Sequence, residues 1–230
     1  MKFEKILKEN PFTLVVSLPN NKLDLARAAL DAGADAVKVH INVLHAASGN
    51  LFGDFEHNRS FLTDLVKLAG DRPVGVVTGG ADEHLTETEL PEFEGIGIDF
   101  FSCYSEHLPV FMLKSQKLTK MVAIHDTYDE ILDAVADSEI DVVEASIMKT
   151  TEYGKPLRYF DVLQYRKICQ AVKQPVLVPT QKGIRPEEVF ALKAAGCRAV
   201  MIGANVMRDQ SAEACYEATL AFRRAVDALK

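Results

Sequence analysis

One pattern limits this chain more than any other: short apolar runs of strand length recur from end to end, each followed by an amphipathic stretch of helical length. Eight runs can be placed, at residues 13–18 (TLVVSL), 36–43 (AVKVHINV), 73–78 (PVGVVT), 99–104 (DFFSCY), 121–126 (MVAIHD), 141–147 (DVVEASI), 175–180 (PVLVPT) and 199–203 (AVMIG). Strands that alternate with helices build a parallel sheet, because each helix carries the chain back across the sheet to start the next strand in the same direction. Eight units in 230 residues leaves about 29 residues per unit, close to the minimum for a βα repeat, and fits a (β/α)8 barrel. No linker-like or low-complexity segment interrupts the alternation, so residues 1–230 are predicted to form one barrel domain.

Local signals mark the unit boundaries. Gly33 and Gly196 follow Ala32 and Ala195 where two helices should stop, and a strand begins two or three residues later in each case. Glycine is suited to that position because the residue after a helix often takes a left-handed conformation. Helix starts are predicted at Asn21 with Asp24, at Asn58-Arg59-Ser60 and at Arg185-Pro186-Glu187-Glu188, with the first helix at 23–32 and the last at 211–229. The two longest connections follow strand 2 (residues 44–59) and strand 6 (148–158). In a parallel barrel both lie at the face where catalytic groups collect.

Charge narrows the function. With 26 Lys and Arg against 33 Asp and Glu, the net charge is −7, and no block of basic residues stands out. Binding nucleic acid through phosphate neutralisation has little to work with. No apolar run approaches the length of a membrane span, and the amino terminus, MKFEKILKENPF, scatters charges through its apolar residues and carries Pro11, unlike a signal peptide. Cys103, Cys169, Cys197 and Cys215 are far apart in sequence, without the close pairs of zinc or redox motifs. The expectation is a reduced, cytoplasmic chain without nucleic-acid or membrane partners. Homodimerisation is expected on base rates alone.

The most specific stretch is PVLVPTQKGIRPEEVFALKAAGCRAVMIGANVMRD, residues 175–209. Glycines end two successive strands there, at Gly183 and Gly203. The residues after Gly203 can form one helical turn whose free N–H groups suit an anion. Gly183-Ile184 with Pro-Glu-Glu, the Ala-Gly turn and AVMIGANVM resembles the final quarter of the ribulose-phosphate-binding barrel superfamily. That superfamily includes indole-glycerol-phosphate synthase, the histidine-biosynthesis barrels and the sugar-phosphate epimerases. The resemblance implies a small phosphorylated ligand held after strands 7 and 8 by Gly183, Gly203, Ala204 and Asn205. Many relatives carry an acid just before this region, where this chain has Thr180-Gln181-Lys182, so a role resting on that acid does not transfer. Gln181 is expected to join the ligand site, and Lys182 to offer a positive charge to the phosphate.

Strand 2 carries the sharpest oddity. Val37, Val39, Ile41 and Val43 share one face at period two, and Lys38, His40 and Asn42 share the other. The outer face of a barrel packs on helices, so the polar trio is expected inside. Strand 6 repeats the habit with Glu144 and Ser146; strand 1 adds Ser17, strand 4 adds Ser102 or Tyr104, and strand 5 ends at His125-Asp126. Lys38 and Glu144, opposite in sign and both inward, are expected to hold each other charged and to exchange protons with a carbon next to a carbonyl. His40 and His125 join them as candidate catalytic groups; Asn42, Ser17 and Ser146 are candidates for holding substrate oxygens.

An isomerase or epimerase acting on a sugar phosphate, with no cofactor, is the resulting expectation. Three alternatives stay open: a Schiff-base aldolase using Lys38, Lys149 or Lys182; a flavin-phosphate-binding barrel; and a binding protein without turnover. The flavin alternative rests on His40-Ile41-Asn42-Val43-Leu44, which resembles a strand-end string of the flavin-dependent isopentenyl diphosphate isomerases. A divalent metal is a minor alternative, with His40 and His45 joined by Asp54, Glu56 or His57, although no recognised metal spacing is present.

Overall fold

A computed structural model describes residues 1–229. The eight runs close into one parallel barrel: β1 (Thr13–Ser17), β2 (Ala36–His40), β5 (Val74–Val77), β6 (Phe100–Tyr104), β7 (Thr119–Ile124), β8 (Val142–Ala145), β9 (Val176–Pro179) and β10 (Ala199–Ile202). They pair in that order, and β10 returns to β1 with Val15 opposite Met201. The strands β3 (Val43–Leu44) and β4 (Leu51–Phe52) form a separate antiparallel hairpin in the connection after β2. Gly33 and Gly196 adopt φ of +97° and +103°, the left-handed helix ends that the sequence suggests.

Outside the barrel lie α2 (Leu23–Asp31), α3 (Phe55–Ala69), α4 (Leu90–Gly95), α5 (Asp129–Ala136), α6 (Tyr159–Ala171), α7 (Val189–Ala195) and α8 (Ala212–Asp227). The fourth unit has no α-helix; a 3-10 stretch, Val110–Lys114, takes its place. Helix α3 begins three residues before the predicted start: the Asp54 carboxylate accepts from the His57 amide at 2.8 Å, which makes Asp54 the cap. Asn58, expected near the start, is instead buried, donating to the carbonyls of Gly53 and Asp54.

The amino terminus is a plug that the periodicity reading does not anticipate. Helix α1 (Lys2–Glu9) lies across the bottom of the barrel and inserts Phe3 and Leu7, 0% and 1% exposed. They cluster with Val15, Ala36, Phe100, Met121, Val142 and Leu177, inward-facing residues of six of the barrel strands. Phe3 stacks on Phe100 with ring centroids 3.9 Å apart. Space for that stack comes from Gly75, where a Cβ would fall 2.0 Å from the Phe100 ring. Burying each such aromatic ring is worth about 2–3 kcal/mol.

The bottom rim is tied by a repeated device. The residue before each even-numbered barrel strand is Asp35, Asp99, Asp141 or Arg198. The three carboxylates accept from amides in the first two residues of the preceding strands, at Leu14 (2.7 Å), Val74 (3.1 Å) and Lys120 (2.8 Å). Arg198 has the opposite polarity and donates to the carbonyls of Leu7, Lys8 and Asn10, clamping the end of α1. With the bottom packed and plugged, the barrel opens only toward the carboxyl ends of its strands.

Candidate active site

Above the apolar floor the inward residues change character. Ser17, Lys38, His40, Ser102, Glu144 and Ser146 line a cavity of about 320 Å³ at the carboxyl ends of the strands, with Val77, Ala123, Pro179 and Met201 as apolar lining. Lys38 and Glu144, 4% and 5% exposed, face each other from opposite sides of the barrel. The lysine Nζ donates to Glu144 Oε2 at 3.3 Å. Ser102 Oγ donates to the same oxygen at 2.7 Å, and Ser146 Oγ donates to Oε1 at 2.9 Å. The carboxylate is thus fixed by three donors from β2, β6 and the end of β8, as a buried charge requires.

The alternation rule places Lys38 and His40 inside, but β2 stops at His40. The chain then bends, Asn42 takes φ +55°, and Val43–Leu44 pairs backwards with Leu51–Phe52. Asn42 therefore does not line the cavity; its Nδ2 donates to the Thr78 carbonyl at 3.3 Å and anchors the hairpin. The hairpin roofs the cavity and brings His45 over His40, ring centroids 4.2 Å apart, with Phe52 against both. His45 Nδ1 is held by Ser48 Oγ at 2.9 Å. Burial, then the neighbouring His45 and Lys38 charges, keep His40 well below the usual histidine range. Burial, then the Lys38 charge, lowers His45 to about 4, with Glu144 partly opposing. Both rings are neutral near pH 7. His40 Nδ1 is buried and makes no hydrogen bond among the described residues.

On the opposite wall Gln181 organises a polar cluster that sequence reasoning reached only in part. Its Oε1 accepts from the Met148 amide at 3.0 Å, and its Nε2 reaches the hydroxyl of Tyr153 at 2.9 Å and that of Tyr104 at 3.5 Å. Tyr104 is pushed up from its ordinary range by burial, then by Tyr153 and Glu144. Tyr153 comes from the connection after β8, so both long connections, after β2 and after β8, contribute to the site. Cys103, also in the wall, is raised to about 12 by burial and the nearby carboxylates of Glu106 and Glu144. A tyrosine in a loop carries no periodic signal, which is why Tyr153 is invisible in the sequence.

Of the two glycines of the expected phosphate cup, Gly203 lines the cavity and Gly183 does not. The Gly183 amide donates to Lys155 O at 2.9 Å, and a Cβ there would fall 2.6 Å from Gly154 O, so this glycine serves close packing against the loop after β8. The Gly203 amide donates to Thr180 Oγ1 at 3.1 Å. A single 3-10 turn, Ala204–Val206, follows β10. The amides of Ala204 and Asn205 have no hydrogen-bond partner among the described residues, and both residues line the cavity. Asn205 Nδ2 bridges the carbonyls of Thr180 and Gln181, both at 3.2 Å, and so locks the ends of β9 and β10 together.

Lys182 and His125 lie outside the cavity. Lys182 faces away from it, with Nζ 2.9 Å from Glu152 and 3.5 Å from Asp161, so its charge is neutralised. Alternation explains this: Pro179 and Gln181 point in, and Lys182 points out. His125 follows the last residue of β7 and sits half-exposed on the rim, paired with Glu106 at 3.1 Å. Lys149 is exposed in the loop after β8. Among the described residues no group of three or more His, Cys, Asp or Glu is placed to hold a metal ion, so His40 and His45 are not joined by Asp54, Glu56 or His57. Nor, among the described residues, is any helix long and apolar enough to cross a membrane.

No protein-family model matches the chain, and no curated protein matches its sequence. Solved structures do match its fold. Thiamine phosphate pyrophosphorylase from Pyrococcus furiosus superposes with a TM-score of 0.69 at 18% identity, covering 96% of this chain and 98% of that one. A mutant tryptophan synthase α-subunit from Pyrococcus furiosus gives 0.69 at 16% identity, covering 95% and 98%. (S)-3-O-geranylgeranylglyceryl phosphate synthase from Thermoplasma acidophilum, solved with sn-glycerol-1-phosphate, gives 0.60 at 17% identity, covering 96% and 95%. These neighbours share with this chain the closed eight-stranded parallel barrel, a likeness of fold.

Proposed function

We propose that this chain is an enzyme acting on a small phosphorylated metabolite, and that it isomerises or epimerises a carbonyl-bearing sugar phosphate by proton transfer. One observation carries the reading: a buried lysine and a triply hydrogen-bonded carboxylate meet at the floor of a cavity on the face where barrels of this kind place their chemistry. Glu144 Oε2 accepts from Ser102 and Lys38, whereas among the described residues Oε1 accepts from Ser146 alone. Oε1 is therefore the atom that takes a proton from the carbon beside the substrate carbonyl. Lys38 has three N–H donors and directs one at Glu144, leaving two for the carbonyl oxygen as negative charge builds on it. Return of the proton from Glu144 to the former carbonyl carbon, with a proton passing from the neighbouring hydroxyl to the former carbonyl oxygen, gives an isomer; delivery of a different proton by a donor on the opposite face gives an epimer.

His40 and His45, neutral at pH 7, serve as hydrogen-bond partners for substrate hydroxyls without adding charge. Ser17, Tyr104 and Gln181 offer further polar contacts from the other side. The unengaged amides of Ala204 and Asn205 are assigned to the phosphate, and Lys38 is the one Lys or Arg among the lining residues. Anchoring the phosphate at one end lets its binding energy position the reacting carbon over Glu144. His125, outside the cavity, has no role in this step.

A thermal-shift series with aldose and ketose phosphates against the same unphosphorylated sugars tests the reading. A phosphorylated ligand at 100 times its dissociation constant should stabilise by about 2.7 kcal/mol, and the free sugar should not. Equal responses, or none across the series, would contradict it.

A second reading is favoured by the position of Lys38 on the cavity floor beside a carboxylate that can take its proton. In that case Lys38 attacks the carbonyl as an amine, and the enzyme is a Schiff-base lyase. Borohydride with a bound carbonyl substrate would then mark Lys38 covalently, whereas the proton-transfer enzyme stays unmodified.

A further inference from the structure

Two thiols that the sequence places 28 residues apart meet on the outer shell. Cys169, in the last turn of α6, and Cys197, in the turn that leads into β10, have their sulfurs 3.6 Å apart. Their backbones are also close, because a Cβ at the intervening Gly196 would lie 3.1 Å from Cys169 Cβ. A disulfide needs sulfurs at about 2.05 Å, so rotation of the side chains and a small approach of α6 suffice.

We infer that Cys169 and Cys197 form a modification site: a dithiol that peroxides oxidise to a disulfide, clamping α6 to the start of the eighth barrel strand. This inference is independent of the proposed enzymatic activity.

Asymmetry within the pair gives the order of events. Cys169 is partly exposed, and Cys197 is 3% exposed. The hydrogen bond from the Cys197 thiol lowers Cys169 below the usual thiol range, whereas Cys197 is raised. Cys169 is the reachable, thiolate-prone partner. Its sulfur attacks one peroxide oxygen: an S–O bond forms, the O–O bond breaks, and hydroxide leaves to be protonated to water. The Cys197 sulfur then attacks the sulfenic sulfur of Cys169. The S–S bond forms, the S–O bond breaks, and hydroxide departs with the Cys197 proton as a second water. Two thiols lose two electrons and the peroxide gains two. Cys103 and Cys215 are buried and raised to about 12 and about 11, chiefly by that burial, so they stay reduced.

The full-length protein is treated with hydrogen peroxide, and free thiols, intact mass, a non-reducing peptide map and the melting midpoint are measured. Titratable thiols in the denatured protein fall from four to two, the mass drops by two hydrogens, and the map joins the peptides of Cys169 and Cys197. Closing a loop of this length raises the melting midpoint by about 5–10 °C, and dithiothreitol reverses it. Cys169→Ser and Cys197→Ser each abolish the crosslink, whereas the double variant Cys103→Ser/Cys215→Ser keeps it. The wild-type peptide map stands alone if a variant fails to fold. Gain of oxygen mass without a crosslink, a crosslink through Cys103 or Cys215, no reaction, or a disulfide that leaves the midpoint unchanged would each overturn the inference.

Discussion

Separating Lys38 from Glu144 should cost more than any surface substitution, and the structure gives the scale. At 3.3 Å and an effective dielectric of about 20, the gross attraction is about 5 kcal/mol, most of it offset by the desolvation of two charges in the barrel. Removing one partner retains that penalty without the attraction. Lys38→Met leaves a carboxylate that is 5% exposed, supported only by Ser102 and Ser146, and should destabilise by about 3–5 kcal/mol. Glu144→Gln keeps the shape and strands the ammonium instead; its cost should be about 2–4 kcal/mol, because lysine can lose its proton. The double variant buries neither charge, so it should be more stable than the sum of the two losses predicts, by about 1–3 kcal/mol. Urea denaturation at pH 7.5 reads these values directly. Melting should agree, with the midpoint of Lys38→Met lowered by about 6–20 °C. Single variants within about 0.5 kcal/mol of wild type, or strict additivity in the double, would refute the buried pair.

Three other perturbations follow from the packing and the titrating groups. His40 and His45 are held below their unfolded value, so the unfolded chain binds protons that the folded one refuses; stability is full above pH 6.5 and falls as pH drops toward 4. His45 contributes at most about 3 kcal/mol to that loss, and His45→Gln should flatten the acid limb of a stability-against-pH curve; an unchanged limb would deny the burial of the ring. Phe3→Ala removes the ring stacked on Phe100 and should cost about 3–5 kcal/mol by urea titration; a loss below 1 kcal/mol would mean that α1 is not seated in the barrel. Gly75→Ala drives a methyl group into the Phe100 ring and should lower the melting midpoint by about 5 °C or more, with partial recovery when Phe100 is also made leucine; a neutral Gly75→Ala would contradict the close approach.

Particular residues show why some of this was legible in the sequence. Period-two alternation gives a side chain its face, and in a barrel the face separates helix-packed from inward positions. Lys38, His40, Glu144 and Ser146 could be assigned inward because they sit within or at the end of regular strands. Alternation does not report where a strand stops. Asn42 and His125 both lie just past a strand end, where the chain turns, and neither reaches the cavity. The partners of Lys182 and Gly183, which are Glu152, Asp161 and Lys155, come from a connection and a helix whose approach no local pattern encodes. The plug had a signal, since Phe3, Ile6 and Leu7 share one helical face. Without a strand before it, however, α1 falls outside the repeating unit. The meeting of Cys169 and Cys197 likewise depends on the packing of α6 beside α7.

The central claim is that Glu144 moves a proton at a carbon held in this cavity. Its most direct test takes a sugar phosphate that stabilises the protein, incubates it in deuterium oxide with wild type or Glu144→Gln, and follows the hydrogen beside the carbonyl by NMR. The account predicts exchange or conversion by wild type and a loss of about 100- to 10,000-fold in Glu144→Gln, with ligand binding retained. Exchange at the wild-type rate in Glu144→Gln, or none by wild type with a ligand that demonstrably binds, would contradict it.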